Sequence, residues 1–417
     1  MKKFLSALFV LISVNASAIK VLVPMDETQT NHLKAYGITY AVIESGIKAD
    51  WLLNYRGGSF LYDYSKEIIR LCLLANVKYE QIADGAAESI LNQISQNDVN
   101  MERIPLEKAP KIAVYAPKTY KPWDDAVMLV LTYAEIPYTV IYDEEILNGE
   151  LTKYDWLHLH HEDFTGQFGK FYGAFKNAPW YQNQVREYEE LSHKLGFCKV
   201  SKEKLAVAKT IKAFVGNGGF MFAMCSSTDS YDIALAAENT DICREMFDGD
   251  AIDPDYSRKL DYSATFAFKD FVLETNPNVY EYSDIDATQS RKVNQQDDVF
   301  TLFDFSAKWD PVPTMLCQNH ETTIDGFMGQ TTSFRKKVLK SGVLIMGENK
   351  AADEARYIHG EYGKGTWTFY GGHDPEDYMH YVGDEPTDLA LHPNSPGYRL
   401  ILNNILFPAA QKKKQKT

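Results

Sequence analysis

Cys225 is the residue whose surroundings in the sequence best suit covalent chemistry. It follows Phe220-Met221-Phe222-Ala223-Met224, an apolar run of strand type, and precedes Ser226-Ser227-Thr228-Asp229, which opens a helix. A cysteine on a sharp strand-to-helix turn can serve as an exposed nucleophile. The positive end of the next helix stabilises a negative sulfur, and backbone N–H groups at the turn can hold an oxyanion. Ser226 then falls where it meets a bound substrate. Far downstream, Gly371-Gly372-His373 ends another strand. His373 is the candidate base, with Glu376 or Asp374 as the group that orients its ring. The competing account is a buried structural cysteine, the usual fate of a free thiol.

A second constellation is His158-Leu159-His160-His161-Glu162-Asp163. Side chains alternate along a strand, so His158 and His160 share one face. With a carboxylate or His320 nearby they suit a divalent metal such as zinc; otherwise His158 is a core histidine. Glu162 is assigned to substrate binding on the same rim. Arg56-Gly57-Gly58-Ser59 after a strand can offer N–H groups and a cation to an anion, or can be a tight turn with a surface arginine. Asp248-Gly249-Asp250 with Asp253 and Asp255 resembles a calcium loop, but lacks the EF-hand spacing and its closing glutamate. No cofactor is expected beyond the divalent metal alternative.

The elements that must position these groups alternate in type. Lys2 and Lys3, the apolar Phe4 to Val14 and Ala16-Ser17-Ala18 form a signal peptide pattern over 1–18, which predicts a periplasmic or secreted protein. Residues 19–105 read as a small N-terminal α/β unit. From 106 to 410, strands at Lys111–Ala116, Tyr138–Tyr142, Tyr154–His160, Phe220–Met224 and Thr366–Tyr370 alternate with helices, including Lys202–Val215. That alternation predicts an α/β fold with a doubly wound parallel sheet covered on both faces. Insertions interrupt it at about 164–200, rich in aromatics, and about 230–307, acidic and polar. Tyr362-Gly363-Lys364-Gly365 is a hairpin turn, and 411–417 is a basic tail. In open α/β sheets ligands bind beyond the carboxyl ends of the strands. The fold therefore has to bring Glu162, Cys225 and His373 to one rim.

Composition narrows the partners. The formal charge of −14 argues against nucleic acid, and no later apolar run is long enough for an integral membrane span. A small-molecule or carbohydrate substrate remains. The five cysteines lack the spacing of a disulfide scaffold and form no C-x-x-C pair.

The stretch Gly218 to Asp229, together with Tyr362-Gly363-Lys364-Gly365, Gly372-His373 and the closing Asn403-Asn404-Ile405-Leu406, resembles trehalose-utilisation (ThuA-like) proteins. These belong to the class I glutamine amidotransferase-like superfamily. The resemblance implies a flavodoxin-like sheet, with Cys225 at the nucleophile position and His373 at the base position. The whole chain, including Trp51 to Phe60 and Leu157 to Asp163, also resembles exported Bacteroidetes-type proteins labelled asparagine synthetase B. A synthetase reaction does not follow, because residue 2 is Lys2 and no S-G-G-x-D-S loop for ATP is present. Three readings result. The first is an exported hydrolase or amidase using Cys225 and His373. The second is a carbohydrate-binding protein stacking sugars on Phe168, Phe171, Tyr172, Trp180 and Tyr181. The third is a metal-dependent hydrolase built on His158, His160 and Glu162.

Overall fold

The structure, a computed structural model, describes residues 19–118, 124–318, 321–381 and 383–412. The signal peptide pattern, His320 and residues 413–417 of the basic tail lie outside the described residues. Strands β1 (Ile19–Val23), β2 (Ala49–Leu53), β3 (Ser59–Asp63), β4 (Glu80–Ala83) and β5 (Glu102–Leu106) make one sheet in the order β4-β1-β3-β2-β5. Every pairing in it is antiparallel. Alternation decides its faces: Val21, Val23, Trp51, Leu53, Phe60 and Tyr62 join the main core, while Leu22, Leu52 and Leu61 pack beneath the helix Asp84–Ser95.

The second sheet has ten strands. They are β6 (Ile112–Tyr115), β7 (Thr139–Ile141), β8 (Trp156–Leu159), β9 (Phe220–Met224), β10 (Val299–Leu302), β11 (Thr323–Asp325), β12 (Phe334–Arg335), β13 (Leu344–Asn349), β14 (Glu354–Tyr362) and β15 (Gly365–Tyr370). Its path is β11-β10-β13-β14-β15-β9-β8-β6-β7, with β12 pairing β14. Only the run β15-β9-β8-β6-β7 is parallel; β14, β13, β10 and β11 extend it antiparallel. The architecture is therefore mixed α/β, not a wholly parallel sheet. The cause is local: the turn at Gly363, whose φ of +62° suits glycine, sends the chain straight back. A turn that short leaves no room for a crossover helix.

The parallel strands are buried on both faces. Val114, Trp156, Phe222 and Met224 face helices Ala126–Tyr133 and Pro396–Leu406, while Ala113, Leu157, Leu159, Met221 and Ala223 face helices Val200–Gly216 and Ser227–Ala236. Ser230 lies inside Ser227–Ala236, so the acidic excursion begins after that helix and ends by contributing β10. The calcium-like loop is occupied by a lysine: Lys199 Nζ reaches Asp241 at 2.7 Å and Asp248 at 3.0 Å, and also pairs with Asp250. All five cysteines are free thiols, Cys198 exposed and the rest buried. No described helix is long and apolar enough to cross a membrane.

Candidate active site

Cys225 stands at the carboxyl end of β9 with φ +50°, directly before Ser226 and the helix Ser227–Ala236. A side chain other than glycine held there costs about 1–3 kcal/mol, and such strain persists only where the surroundings impose it. Both neighbouring strands impose it. The Cys225 N–H donates to the Gly372 carbonyl at 3.2 Å, and the Ser227 N–H donates to the His160 carbonyl at 3.0 Å. Gly372, at φ +101°, has no room for a Cβ, which would meet the Phe327 ring at 2.5 Å. The elbow, the end of β8 and the end of β15 are thus one hydrogen-bonded rim.

Three imidazoles converge on the sulfur. One ligating atom each from His160, His161, His373 and Cys225 lies within 4.8 Å of every other. His160 Nε2 faces His373 Nδ1 at 3.2 Å. Two adjacent carboxylates stand behind the rings. Asp125 Oδ1 is 3.3 Å from His160 Nδ1. Asp124 is 3.4 Å from His161 Nε2, 3.6 Å from His373 Nε2 and 3.1 Å from His380 Nε2. Asp125 is fixed because it caps the helix Ala126–Tyr133, accepting the N–H groups of Val127 at 2.8 Å and Met128 at 2.9 Å.

Burial and neighbours separate the titrations of these rings. Burial, reinforced by His161, lowers His160 to about 4. His373 is pushed well below the ordinary histidine range by burial and by His161 and His160. For His161 burial acts downward too, but hydrogen bonds to Asp124 and Cys225 outweigh it and hold the ring well above its usual value. Burial works against ionised Asp124 and Asp125, yet the surrounding imidazoles hold both carboxyls below the usual range. His161 is therefore the proton-carrying ring of the cluster, linked at once to the thiol and to Asp124.

The sequence-assigned residues divide between this rim and elsewhere. Cys225, Ser226, His160 and His373 are brought together, but Cys225 is only 5 % exposed, so it is not the open nucleophile expected. Among the four clustered side chains His161 is the most exposed, at 28 %. The Ser226 hydroxyl is buried without a hydrogen-bond partner, and no acceptor meets its N–H among the described residues. Glu376 does not orient His373; it pairs with His392 Nδ1 at 2.8 Å, and Asp124 takes its place. Glu162 turns away into a buried network, accepting from Tyr142 at 2.9 Å and lying 3.7 Å from Lys204 Nζ. His158 is a core histidine with both ring nitrogens against oxygens, the Phe222 carbonyl and Asp125, each at 3.2 Å. His158, His160 and Asp125 nevertheless form one of the buried groups able to hold a metal ion. Arg56 lies in the N-terminal sheet, bound to Asp26 at 2.7 Å and Glu80 at 2.8 Å, with no cation left over for an anion. The aromatics of the first insertion largely pack on one another, Trp180 against Phe171 at 5.7 Å and Phe175 at 5.1 Å.

His161, Asp124, Asp125 and His380 are the residues that sequence reasoning missed. Paired acids before an apolar helix signal a cap, and only Asp125 is used as one. The redundancy of Asp124 was the available signal. His380 belongs to no periodic element and gave none.

Residue groups able to hold a metal ion are thus present. No protein-family model and no curated protein matches the chain. Among solved structures it is similar to the Cytoplasmic Protein STM3548 from Salmonella typhimurium, at 11% identity, covering 72% of this chain and 100% of that one, with a TM-score of 0.36. It is also similar to the Cytoplasmic Protein STM1381 from Salmonella typhimurium LT2, at 10% identity with coverage of 72% and 100% and a TM-score of 0.31. These values describe a weak likeness of fold.

Proposed function

We propose that this protein is an exported hydrolase that cleaves amide or ester bonds through Cys225, on a scaffold of the ThuA-like, glutamine amidotransferase-like kind. The observation that carries the reading is the left-handed backbone of Cys225 at a strand-to-helix elbow, with a His161 ring nitrogen within 4.8 Å of its sulfur and Asp124 3.4 Å from His161 Nε2. Nucleophile, base and orienting carboxylate in a row are the recurring parts of acyl transfer.

In this reading the sulfur attacks a substrate carbonyl carbon while the thiol proton is held on His161. The carbonyl oxygen becomes an oxyanion that the Ser226 N–H can receive, since the residue after a nucleophile on such an elbow supplies that donor. Collapse breaks the bond to the leaving amine or alcohol, which departs with the proton from His161. Water then attacks the thioester, returns a proton to His161, and releases a carboxylic acid and free Cys225. The substrate class in this reading is a small-molecule or glycan-derived amide. The test is a screen of the mature protein against amides, esters and oligosaccharides, with Cys225→Ala and Cys225→Ser as controls. Turnover that persists in both variants overturns the reading.

A divalent metal at the same rim is the second reading. The carboxylates standing behind three of its imidazoles favour it.

A further inference from the structure

The orientation of the rings says more than their proximity. His160 turns Nδ1 to Asp125 at 3.3 Å, and His373 turns Nε2 to Asp124 at 3.6 Å. With the proton on the nitrogen that faces the carboxylate, the other nitrogen keeps the lone pair. For these two rings the other nitrogens are His160 Nε2 and His373 Nδ1, the pair that meet at 3.2 Å. Two lone pairs aimed at one point repel unless a cation lies between them. His161 stands in the same cluster, with Asp124 3.4 Å from its Nε2 and a ring nitrogen within 4.8 Å of the Cys225 sulfur. Imidazoles backed in this way by carboxylates are the usual setting of metal-ligating histidines.

We propose that a soft divalent ion of the zinc class binds between His160, His161, His373 and Cys225. The donor set fits: imidazole and thiolate together suit zinc and its neighbours, not magnesium or calcium. The geometry fits as well. Zinc–nitrogen bonds of about 2.0–2.1 Å in a tetrahedron set neighbouring nitrogens about 3.3–3.4 Å apart, and the His160–His373 pair is at 3.2 Å. The longest separation among the four donors is no more than 4.8 Å, so closing the shell needs side-chain shifts of roughly 1 Å. Four protein ligands fill a tetrahedral shell, so the ion leaves no coordination site for water and ties up the sulfur. Bound metal thus holds Cys225 in a silent state. The silencing rests on the reading of Cys225 as a nucleophile, whereas the binding does not.

The test titrates metal-stripped, mature full-length protein with cobalt(II) and then displaces it with zinc(II). One equivalent of cobalt should give a tetrahedral visible spectrum and a thiolate charge-transfer band. Cys225→Ser should abolish the charge-transfer band. Asp124→Asn, which keeps the shape but loses the charge behind two rings, should weaken binding 10–100-fold, and His392→Ala should leave it unchanged. Zinc should slow iodoacetamide labelling of Cys225 at least tenfold. Saturable binding that is indifferent to Cys225→Ser, or no saturable binding at all, overturns the proposal. Circular dichroism establishes that each variant is folded, and Cys225→Ser, being nearly isosteric, decides the matter if Asp124→Asn is not. Absent binding beside Cys225-dependent turnover defeats the metal site and spares the hydrolase. Binding to a chain whose metal-free form shows no Cys225 labelling or turnover does the reverse.

Discussion

His160 and His373 meet nitrogen to nitrogen at 3.2 Å although 213 positions separate them in the chain. Their strands, β8 and β15, flank β9 in the parallel sheet, so the pair closes over Cys225 at the end of the strand between them. This relationship makes the carboxyl rim a chemical site instead of a set of loop ends. It also makes Asp124, which stands behind His161, His373 and His380, the group on which the site's order depends most.

Cys225 should react with iodoacetamide in the folded, metal-free protein despite its burial. Cys198 is exposed and will also label, so the measurement belongs in a Cys198→Ser background. There, peptide mapping should find a single fast site at Cys225, and His161→Gln should slow it at least about tenfold by removing the partner of the thiol. An inert Cys225, or a rate indifferent to His161, defeats the assignment of this pair.

Replacing Asp124 with Asn should lower kcat/KM on any substrate found by about 100-fold or more, the scale of a general acid–base contribution. Glu376→Gln should lower it by less than about threefold, since Glu376 pairs with His392 and not with the cluster. Comparable losses in the two variants would falsify the placement of Asp124 behind the base.

The contribution of Glu203 to stability should fall as pH rises between about 5 and 8. Burial raises Glu203 to about 8, only partly offset by Lys204. The folded protein therefore holds a proton there that the unfolded chain releases near 4.5, and stability is lost as pH climbs through that interval. Between pH 5.5 and pH 8 the urea midpoint of the unmodified protein should fall relative to that of Glu203→Gln. An unchanged slope in the variant counts against a buried, protonated Glu203.

Lys204→Met should destabilise the fold by about 3–5 kcal/mol, because it strands buried carboxylates. Lys204 Nζ lies 2.8 Å from Asp143 and 2.9 Å from each of the Tyr115 and Tyr142 hydroxyls, in a pocket that also holds Glu162. Urea unfolding measures the loss, and a change below about 1 kcal/mol would show that the network is hydrated when folded.

The processed chain from native cells should begin at Ile19 or within a residue or two of it. N-terminal sequencing checks this, and finding Met1 retained on soluble cytoplasmic protein removes the export reading.

The sequence by itself determined much of the element order and put Cys225 and His373 at strand ends. The apolar run Phe220 to Met224 read as a strand and is β9, the Lys202–Val215 helix runs from Val200 to Gly216, and Thr366–Tyr370 falls within β15. Periodicity and turn residues are local, so they survive in the linear text. Cys225 and His373 were legible because strand ends are. Their partners were not, since a sequence gives the position of a residue along an element but not the direction its side chain takes across the space between elements. Glu162 and His161 are adjacent, yet one meets the Lys204 network and the other lies in the cluster with Cys225. Asp124 and Asp125 are adjacent, yet Asp125 caps the helix and faces His158 and His160 while Asp124 faces His161, His373 and His380. Which acid served which ring was decided only when β15, β9, β8 and β6 came together, because charge pairing depends on separations of 3 to 4 Å that no spacing in the sequence encodes.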